Sequence, residues 1–223
     1  MICIMEHDFW HQRWQDDKLG FHLPEANPLL LQYASRLNLS PGDEVFVPLC
    51  GKTLDMVWLR EQGYDVVGIE LSKIALEAFF KENEVGYREL QAGDFSIYHS
   101  LGYTLYGGDF FALNAAALQS CNAVYDRAAL VAFPPEMRQR YVQHLKYITP
   151  ANCPILLITL EYNEGEMDGP PFSLPFEKVV ELYGDTFNIE PLHEDDGLQT
   201  HPEMQERGLG ALRESVLLLT PKD

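Results

Sequence analysis

The chain has 223 residues, of which 46% are hydrophobic, and this length and composition predict one domain with a single well-filled core. A formal net charge of −18 repels phosphate backbones and anionic lipids, so nucleic acids and membranes are poor candidates as partners. No signal peptide, C-x-x-C pair or apolar run approaching ~18 residues is visible. We therefore expect a soluble, cytoplasmic, monomeric protein with reduced thiols and no metal site.

Strand-like and helical segments alternate along the chain. Apolar runs predict strands at 44–48, 65–71, 122–125, 154–160, 187–190 and 215–220, and helical periodicity predicts helices at 53–62, 72–83, 136–147 and 176–183. In the second helix, Ser72 is expected to act as the N-cap, with an apolar face formed by Ile74, Leu76, Ala78 and Phe79. Segment 161–175 is rich in glycine, proline and acidic residues and is predicted to be a surface loop.

Alternation of strand and helix predicts an α/β fold with a parallel sheet and right-handed crossovers. The last two strands have no clear helix between them, so they are expected to form an antiparallel hairpin. A parallel sheet that ends in such a hairpin is the architecture of methyltransferases that use S-adenosylmethionine, an inference from fold analogy.

Ligands of open parallel sheets bind beyond the carboxyl ends of the strands. Eight candidate residues fall at such ends or after the loop at 103–108: Leu49, Cys50, Gly51, Glu70, Asp109, Phe110, Asp126 and Arg127.

Glu70 carries the most specific signal. It ends the second strand about 20 residues after the turn at Gly51, where a carboxylate can accept hydrogen bonds from both hydroxyls of a ribose. The turn holds one glycine, whereas a pyrophosphate needs bare backbone at a helix N-terminus. The pattern therefore disfavours NAD or FAD and is compatible with a phosphate-free cofactor. A helix cap or a solvated acid is the alternative for Glu70.

Asp109 follows two glycines, Gly107 and Gly108, and can either accept a hydrogen bond from an adenine amino group or simply form a turn. Both interpretations remain open from the sequence.

Five motifs occur together and in order: FWHQRWQDDKLGFH, VPLCGKTLDMVWL, VVGIELS, YDRAALVA and GPPFSLP. Together they resemble the thiopurine S-methyltransferase family, in particular its bacterial members, over residues 9–219. The resemblance implies a seven-stranded, mostly parallel sheet with helices on both faces, S-adenosylmethionine as cofactor, and methylation of sulfur on aromatic and heterocyclic thiols. Some bacterial members are associated with selenium or tellurium compounds, which are further expected acceptors.

The resemblance also implies roles for individual residues. Cofactor contacts are expected from Trp10, Trp14, Leu49, Gly51, Glu70, Asp109, Phe110 and Arg127, and substrate contacts from Phe21, Arg127 and Arg207. Residues 1–30 are expected to form a lid over the cofactor, and Trp10 and Trp14 share one face if that segment is helical. Anchoring of the N-terminal segment to the core is the alternative for these two indoles.

No convincing His–Asp or Cys–His catalytic pair emerges from the sequence. Heterocyclic thiols are acidic, so methyl transfer mainly requires that the two reactants be held in line. Asp126 and His22 are possible proton acceptors, although a structural role is favoured for each, and Cys50 is expected to line the cofactor wall.

Three other functions are compatible with parts of the pattern. The first is a methyltransferase acting on halide, bisulfide or thiocyanate. The second is an NAD-dependent oxidoreductase, which the missing G-x-G-x-x-G disfavours. The third is a protein that sequesters a small molecule without turnover.

Overall fold

The structure is a computed structural model that describes residues 10, 12–14 and 22–222. Residues 22–222 form nine strands and seven α-helices. The strands are β1 (Glu44–Val47), β2 (Asp65–Glu70), β3 (Arg88–Ala92), β4 (Phe95–Ser100), β5 (Tyr103–Gly107), β6 (Cys121–Arg127), β7 (Ile155–Glu161), β8 (Phe187–Asp196) and β9 (Arg213–Pro221). The helices are α1 (Pro28–Tyr33), α2 (Asp55–Glu61), α3 (Lys73–Glu82), α4 (Pro135–Ile148), α5 (Phe176–Tyr183), α6 (Gly197–Thr200) and α7 (Pro202–Glu206).

All nine strands belong to one sheet in the order β3-β4-β5-β2-β1-β6-β7-β9-β8. Strands β5, β2, β1, β6 and β7 are mutually parallel, whereas β9 lies antiparallel between β7 and β8. This confirms the predicted α/β class with its C-terminal antiparallel hairpin. Because parallel strands place their carboxyl ends at one edge, β1, β2, β5 and β6 deliver their last residues to a common cleft.

Two strands beyond the expected seven extend the sheet at one edge, where β3 and β4 pair antiparallel with each other and with β5. Sequence analysis also placed residues 103–108 in a loop, and this was wrong because Tyr103–Gly107 form β5. All five residues of β3 are exposed, so this edge strand lacks the buried apolar pattern that reveals a strand.

The C-terminal hairpin is longer than predicted and is not a simple connection. Strand β8 extends to Asp196, and the two short helices α6 and α7 lie between β8 and β9, where no helix was expected. Helices of four and five residues are too short to show the periodicity on which the sequence prediction depends.

Helices cover both faces of the sheet, and one apolar cluster fills each interface. In α3 the buried face consists of Ala75, Leu76, Phe79 and Phe80, whereas Ile74 is 46% exposed. The predicted face was therefore partly wrong. Ser72 precedes this helix without a side-chain capping bond, and its backbone N–H instead donates to Glu70.

The loop predicted at 161–175 is irregular, as expected, but firmly held. Arg138, only 4% exposed, donates from Nε to the carbonyl of Phe133 and from Nη2 to the carbonyls of Phe172 and Ser173. The Phe172 N–H donates in turn to the carbonyl of Val131 at 2.7 Å. We call residues 162–175 the strap, since they cross the carboxyl edge of the sheet and reach the cleft.

Candidate functional site

A cavity of about 720 Å³ opens at the carboxyl ends of β1, β2, β6 and β7. Its wall includes eight of the residues that sequence analysis singled out, namely Trp10, Trp14, Leu49, Glu70, Asp109, Phe110, Arg127 and Arg207. A cavity of this size suits a drug-sized ligand. The structure thus brings residues from most of the chain to one place.

Glu70 lies at the floor of this cavity and is 7% exposed. Its Oε2 accepts from the Gly51 N–H at 2.9 Å and its Oε1 from the Ser72 N–H at 2.8 Å. The Leu71 N–H is a third backbone donor to this carboxylate, which offers about four acceptor sites and so keeps some capacity for a ligand. Burial raises the pKa of Glu70 to about 7, although the backbone donors oppose this shift.

The Gly51 N–H is therefore already bonded within the protein. A dinucleotide pyrophosphate would need the amides of this turn as donors. The contact with Glu70 explains in physical terms why the single-glycine turn suits a ligand without phosphate.

Left-handed backbone occurs where strands end at the cavity. Leu49 after β1 has φ +48° and Ala128 after β6 has φ +66°, and both line the cavity. Such conformations are uncommon for residues with a Cβ and are retained where the surroundings enforce them.

Asp109 both forms a turn and lines the cavity, so it has features of both roles that the sequence left open. Its Oδ1 accepts from the Phe111 N–H at 2.9 Å and so caps the short 3₁₀ turn Phe110–Ala112, yet the residue also lines the cavity. On the same wall the Arg140 guanidinium lies 3.9 Å from the centre of the Phe111 ring, a cation–π contact.

The N-terminal indoles differ in their surroundings. Trp10 and residues 12–14 are helical; Trp14 is 6% exposed, whereas Trp10 is half-buried, and both line the cavity. The predicted substrate residue Phe21 lies outside the described residues.

The two predicted arginines line the cavity from different elements of the fold. Arg127 ends β6, whereas Arg207 follows α7 and donates from Nη2 to the carbonyl of Pro170 in the strap at 3.1 Å. Pro170 itself lines the cavity. Arg207 therefore supports the cavity wall in addition to lining it.

Four other candidates do not line this cavity. Asp126 is fully buried, accepts from the Tyr141 hydroxyl at 2.7 Å and from the Leu130 N–H at 3.1 Å, and burial raises its pKa to about 6. His22, Cys50 and Gly51 border an adjoining hollow of about 20 Å³, and burial raises the pKa of the Cys50 thiol. The expected cofactor contacts Cys50 and Gly51 therefore lie beside the main wall and not in it.

Sequence reasoning missed a histidine–carboxylate pair. The imidazole of His201 and the carboxylate of Glu214 meet at 3.1 Å, and both residues line the cavity. The two residues are 13 apart and belong to α6–α7 and β9, so no short motif marks them. The only signal available was the presence of a histidine and an acid near the predicted last strand.

A sequence profile of the thiopurine S-methyltransferase family matches residues 5–222. Among curated proteins, the thiopurine S-methyltransferases of Pseudomonas paraeruginosa and Pseudomonas aeruginosa are 49% and 48% identical over 215 residues, which are 96% of this chain and 99% of each relative. The chain belongs to the thiopurine S-methyltransferase family.

Similarity of fold extends well beyond the family. The solved structure of 1,6-didemethyltoxoflavin-N1-methyltransferase from Burkholderia thailandensis, with bound S-adenosylhomocysteine, superposes with a TM-score of 0.66 at 13% identity, covering 97% of this chain and 87% of the other. The predicted family, the methyltransferase class and the fold class are thereby confirmed. Within the described residues, no helix is long and apolar enough to cross a membrane.

Proposed function

We propose that this protein transfers the methyl group of S-adenosylmethionine to the sulfur of aromatic and heterocyclic thiols. The observation that carries the proposal is Glu70, a cavity-lining carboxylate at the end of β2 whose remaining acceptor capacity suits the hydroxyls of a ribose. Family membership supports the same reaction and the same cofactor.

The cofactor supplies a methyl group that is already activated on a sulfonium. The protein's residues then have to bind and align the reactants. We assign the cofactor end to Trp10, Trp14, Leu49, Gly51, Glu70, Asp109, Phe110 and Arg127, and the acceptor end to Phe21, Arg127 and Arg207. Holding two reacting atoms in line at about 3–3.5 Å can supply roughly 7–11 kcal/mol of the barrier.

The N-terminal segment serves as a lid in this proposal. Trp10 and Trp14 border the cavity, and an indole face beside a sulfonium favours the positive charge. Closure would also exclude water from the reacting pair. We also propose that residues 1–223 form one domain, since all nine described strands belong to one sheet, and that the protein acts as a monomer.

We also propose a cytoplasmic location and small thiols, not nucleic acids, as partners. The net charge of −18 supports this choice because phosphate backbones would be repelled. Arg127 and Arg207 provide local positive charge at the cavity despite that overall balance.

The test is incubation with methyl-labelled S-adenosylmethionine and a panel of acceptors, with product identification by mass spectrometry. The panel contains 6-mercaptopurine, a selenol of similar shape, thiocyanate, bisulfide and iodide. Methylated 6-mercaptopurine and released S-adenosylhomocysteine are expected. Methylation of the inorganic ions alone would favour the halide and thiol alternative, and cofactor binding without any product would favour sequestration.

A further inference from the structure

The acceptor end of the cavity carries a buried acid–base cluster that the alignment of reactants leaves unused. It consists of His201, Glu203 and Glu214, all of which line the cavity beside Leu160 and Met204. The side chains of His201 and Glu214 are 11% and 6% exposed, whereas that of Glu203 is 42% exposed. His201 and Glu214 are thus nearly buried in the cavity wall, whereas Glu203 is partly exposed to solvent.

The hydrogen bonds of the cluster determine which imidazole nitrogen of His201 carries the hydrogen. Nε2 of His201 lies 3.1 Å from Oε1 of Glu214, and because a carboxylate only accepts, Nε2 carries the hydrogen. Oε2 of Glu214 also accepts from the Thr200 hydroxyl at 3.3 Å, which holds that carboxylate in place. Nδ1 is left as the nitrogen that can gain or lose a proton.

Among the described residues, the carboxylate of Glu203 is the partner of Nδ1. Its Oε1 lies 3.4 Å from Nδ1, and the Glu203 side chain is partly exposed to solvent. Neutral His201 would therefore keep its bond to Glu214 while offering the Nδ1 lone pair to a ligand. A buried carboxylate that orients the imidazole of a general base is a recurrent arrangement in enzymes.

The charges around His201 set its proton affinity. The hydrogen bond from His201 to Glu214 raises the imidazole pKa, burial opposes this, and Glu203 raises it further while Arg127 on β6 lowers it. These groups come from α7, β9 and β6, the elements that face the ring. The net upward direction brings the base closer to the pKa of an ordinary thiol, about 8.5, and so improves proton transfer.

We propose that His201, oriented by Glu214, is the proton acceptor for thiols that are too weakly acidic to enter the cavity as thiolates. The inference rests on the proposed function and extends its substrate class from heterocyclic thiols to alkyl-type thiols with an apolar body. Acidic heterocyclic thiols, already ionised near neutral pH, would not need His201.

The proton and electrons balance without a further reactant. The S–H bond breaks and its proton passes to Nδ1 of His201. The electron pair left on sulfur forms the new bond to the methyl carbon, while the pair of the broken C–S bond remains on the sulfur of the donor. The imidazolium then releases its proton to solvent through the partly exposed Glu203.

The experiment compares two acceptors, benzyl mercaptan as a weakly acidic thiol and 4-nitrothiophenol as one that is a thiolate near neutral pH. General-base catalysis contributes about 10²–10⁴-fold, so His201→Gln should lower kcat for benzyl mercaptan at least about 10²-fold and leave kcat for 4-nitrothiophenol unchanged. The pH midpoint for benzyl mercaptan should move from that of His201 to that of the thiol itself.

Two further variants separate a chemical role from a structural one. Glu214→Gln should lower the pKa of His201, measured by NMR titration of the donor-free protein, and should lower only the rate with benzyl mercaptan. His193→Gln is the matched control, because His193 on β8 also meets a carboxylate, Asp195, at 3.1 Å and does not line the cavity. It should leave both rates unchanged.

The outcomes are distinct. Equal loss with both thiols, or no loss with either, would overturn the role of His201. An unchanged His201 pKa in Glu214→Gln would overturn the role of Glu214. Failure of the unaltered protein to methylate either thiol would instead contradict the proposed function.

Discussion

Glu70 combines two tasks that are usually separate. Its carboxylate closes the turn after β1 by accepting the Gly51 N–H, and it also faces the cavity where the ribose of the donor is proposed to lie. Burial raises its pKa to about 7, so a change of pH near neutrality changes the number of acceptors it offers. The turn and the ligand contact are therefore linked through one ionisable group.

This link predicts a pH-dependent affinity for S-adenosylhomocysteine. A ribose diol donates to the carboxylate form, so affinity should fall as the pH drops below about 7, by up to about tenfold per pH unit. Glu70→Gln should abolish that dependence and weaken binding by roughly 10–100-fold, since hydrogen bonds to a charged group contribute about 1.5–3 kcal/mol. Calorimetry about one pH unit either side of 7 measures both effects.

Glu77→Gln is the control, because Glu77 is exposed on α3 and does not line the cavity. A pH slope that persists in Glu70→Gln would show that another group controls affinity.

Asp126 is a second buried carboxyl, and its role is structural. Its ordinary pKa of 3.8 is raised to about 6 by burial, against which the Tyr141 hydroxyl favours the charged form. The folded protein holds this proton more tightly than the unfolded chain, so its stabilising contribution is present at low pH and is lost as the pH rises through about 6.

Removal of the Tyr141 hydroxyl should reduce the stability of the protein by an amount that depends on the ionisation of Asp126. Tyr141→Phe deletes the 2.7 Å hydrogen bond to a buried carboxylate, so we expect a loss of about 2 kcal/mol in the free energy of unfolding at pH above 7. The loss should be smaller below 6, where Asp126 is protonated and its hydrogen bond is a neutral one. Urea denaturation measures both values.

Tyr147→Phe on the same helix is the control, since Tyr147 is 70% exposed. Equal losses above and below pH 6 would contradict a bond to an ionised Asp126.

The strap forms part of the cavity wall beyond the carboxyl ends of the strands, through Pro170 and Pro171. Arg138 and Arg207 hold its backbone carbonyls, and the Phe172 and Leu174 N–H groups donate to the carbonyls of Val131 and Leu160. A segment so rich in glycine and proline has no helix or strand of its own to order it, so these contacts fix its position.

Arg138→Met should loosen the strap while keeping the apolar stem packed. The carbonyls of Phe133, Phe172 and Ser173 would lose a charged donor, and we expect a net loss of about 3 kcal/mol in unfolding free energy. Hydrogen exchange should speed up at Phe172 and Leu174. Arg88→Met, an exposed change on β3, is the control, and unchanged exchange in the strap would refute its dependence on Arg138.

The cavity depends on the fold of most of the chain, because its wall extends from Trp10 to Glu214. A ligand that fills it should bind only the folded state and so stabilise the whole protein.

S-adenosylhomocysteine at about 100 times its Kd should add about 2.7 kcal/mol to the free energy of unfolding. For a domain of this size that corresponds to a rise in Tm of roughly 5–10 °C. NAD at the same concentration should leave Tm unchanged, because the Gly51 N–H is bonded to Glu70. A shift with NAD and none with S-adenosylhomocysteine would contradict the assigned ligand.

The amino-acid sequence by itself determined the alternation of strands and helices, the antiparallel end of the sheet and the place of Glu70 at the close of β2. These features follow from local periodicity, which the backbone geometry of a strand or helix imposes on neighbouring residues. The family motifs added the cofactor and the reaction. The edge strand β3 was not predicted because all of its residues are exposed and so show no apolar pattern.

Tertiary structure alone decided which groups meet. The bond from the Gly51 N–H to Glu70, the burial of Asp126 against Tyr141 and the pairing of His201 with Glu214 all join residues that no sequence period relates. Such contacts arise when the chain packs into one core, and their pKa shifts follow from the water that packing removes. Proton chemistry at this site is therefore a property of the fold, whereas the location of the cavity at the carboxyl ends of the strands could be predicted from the order of residues.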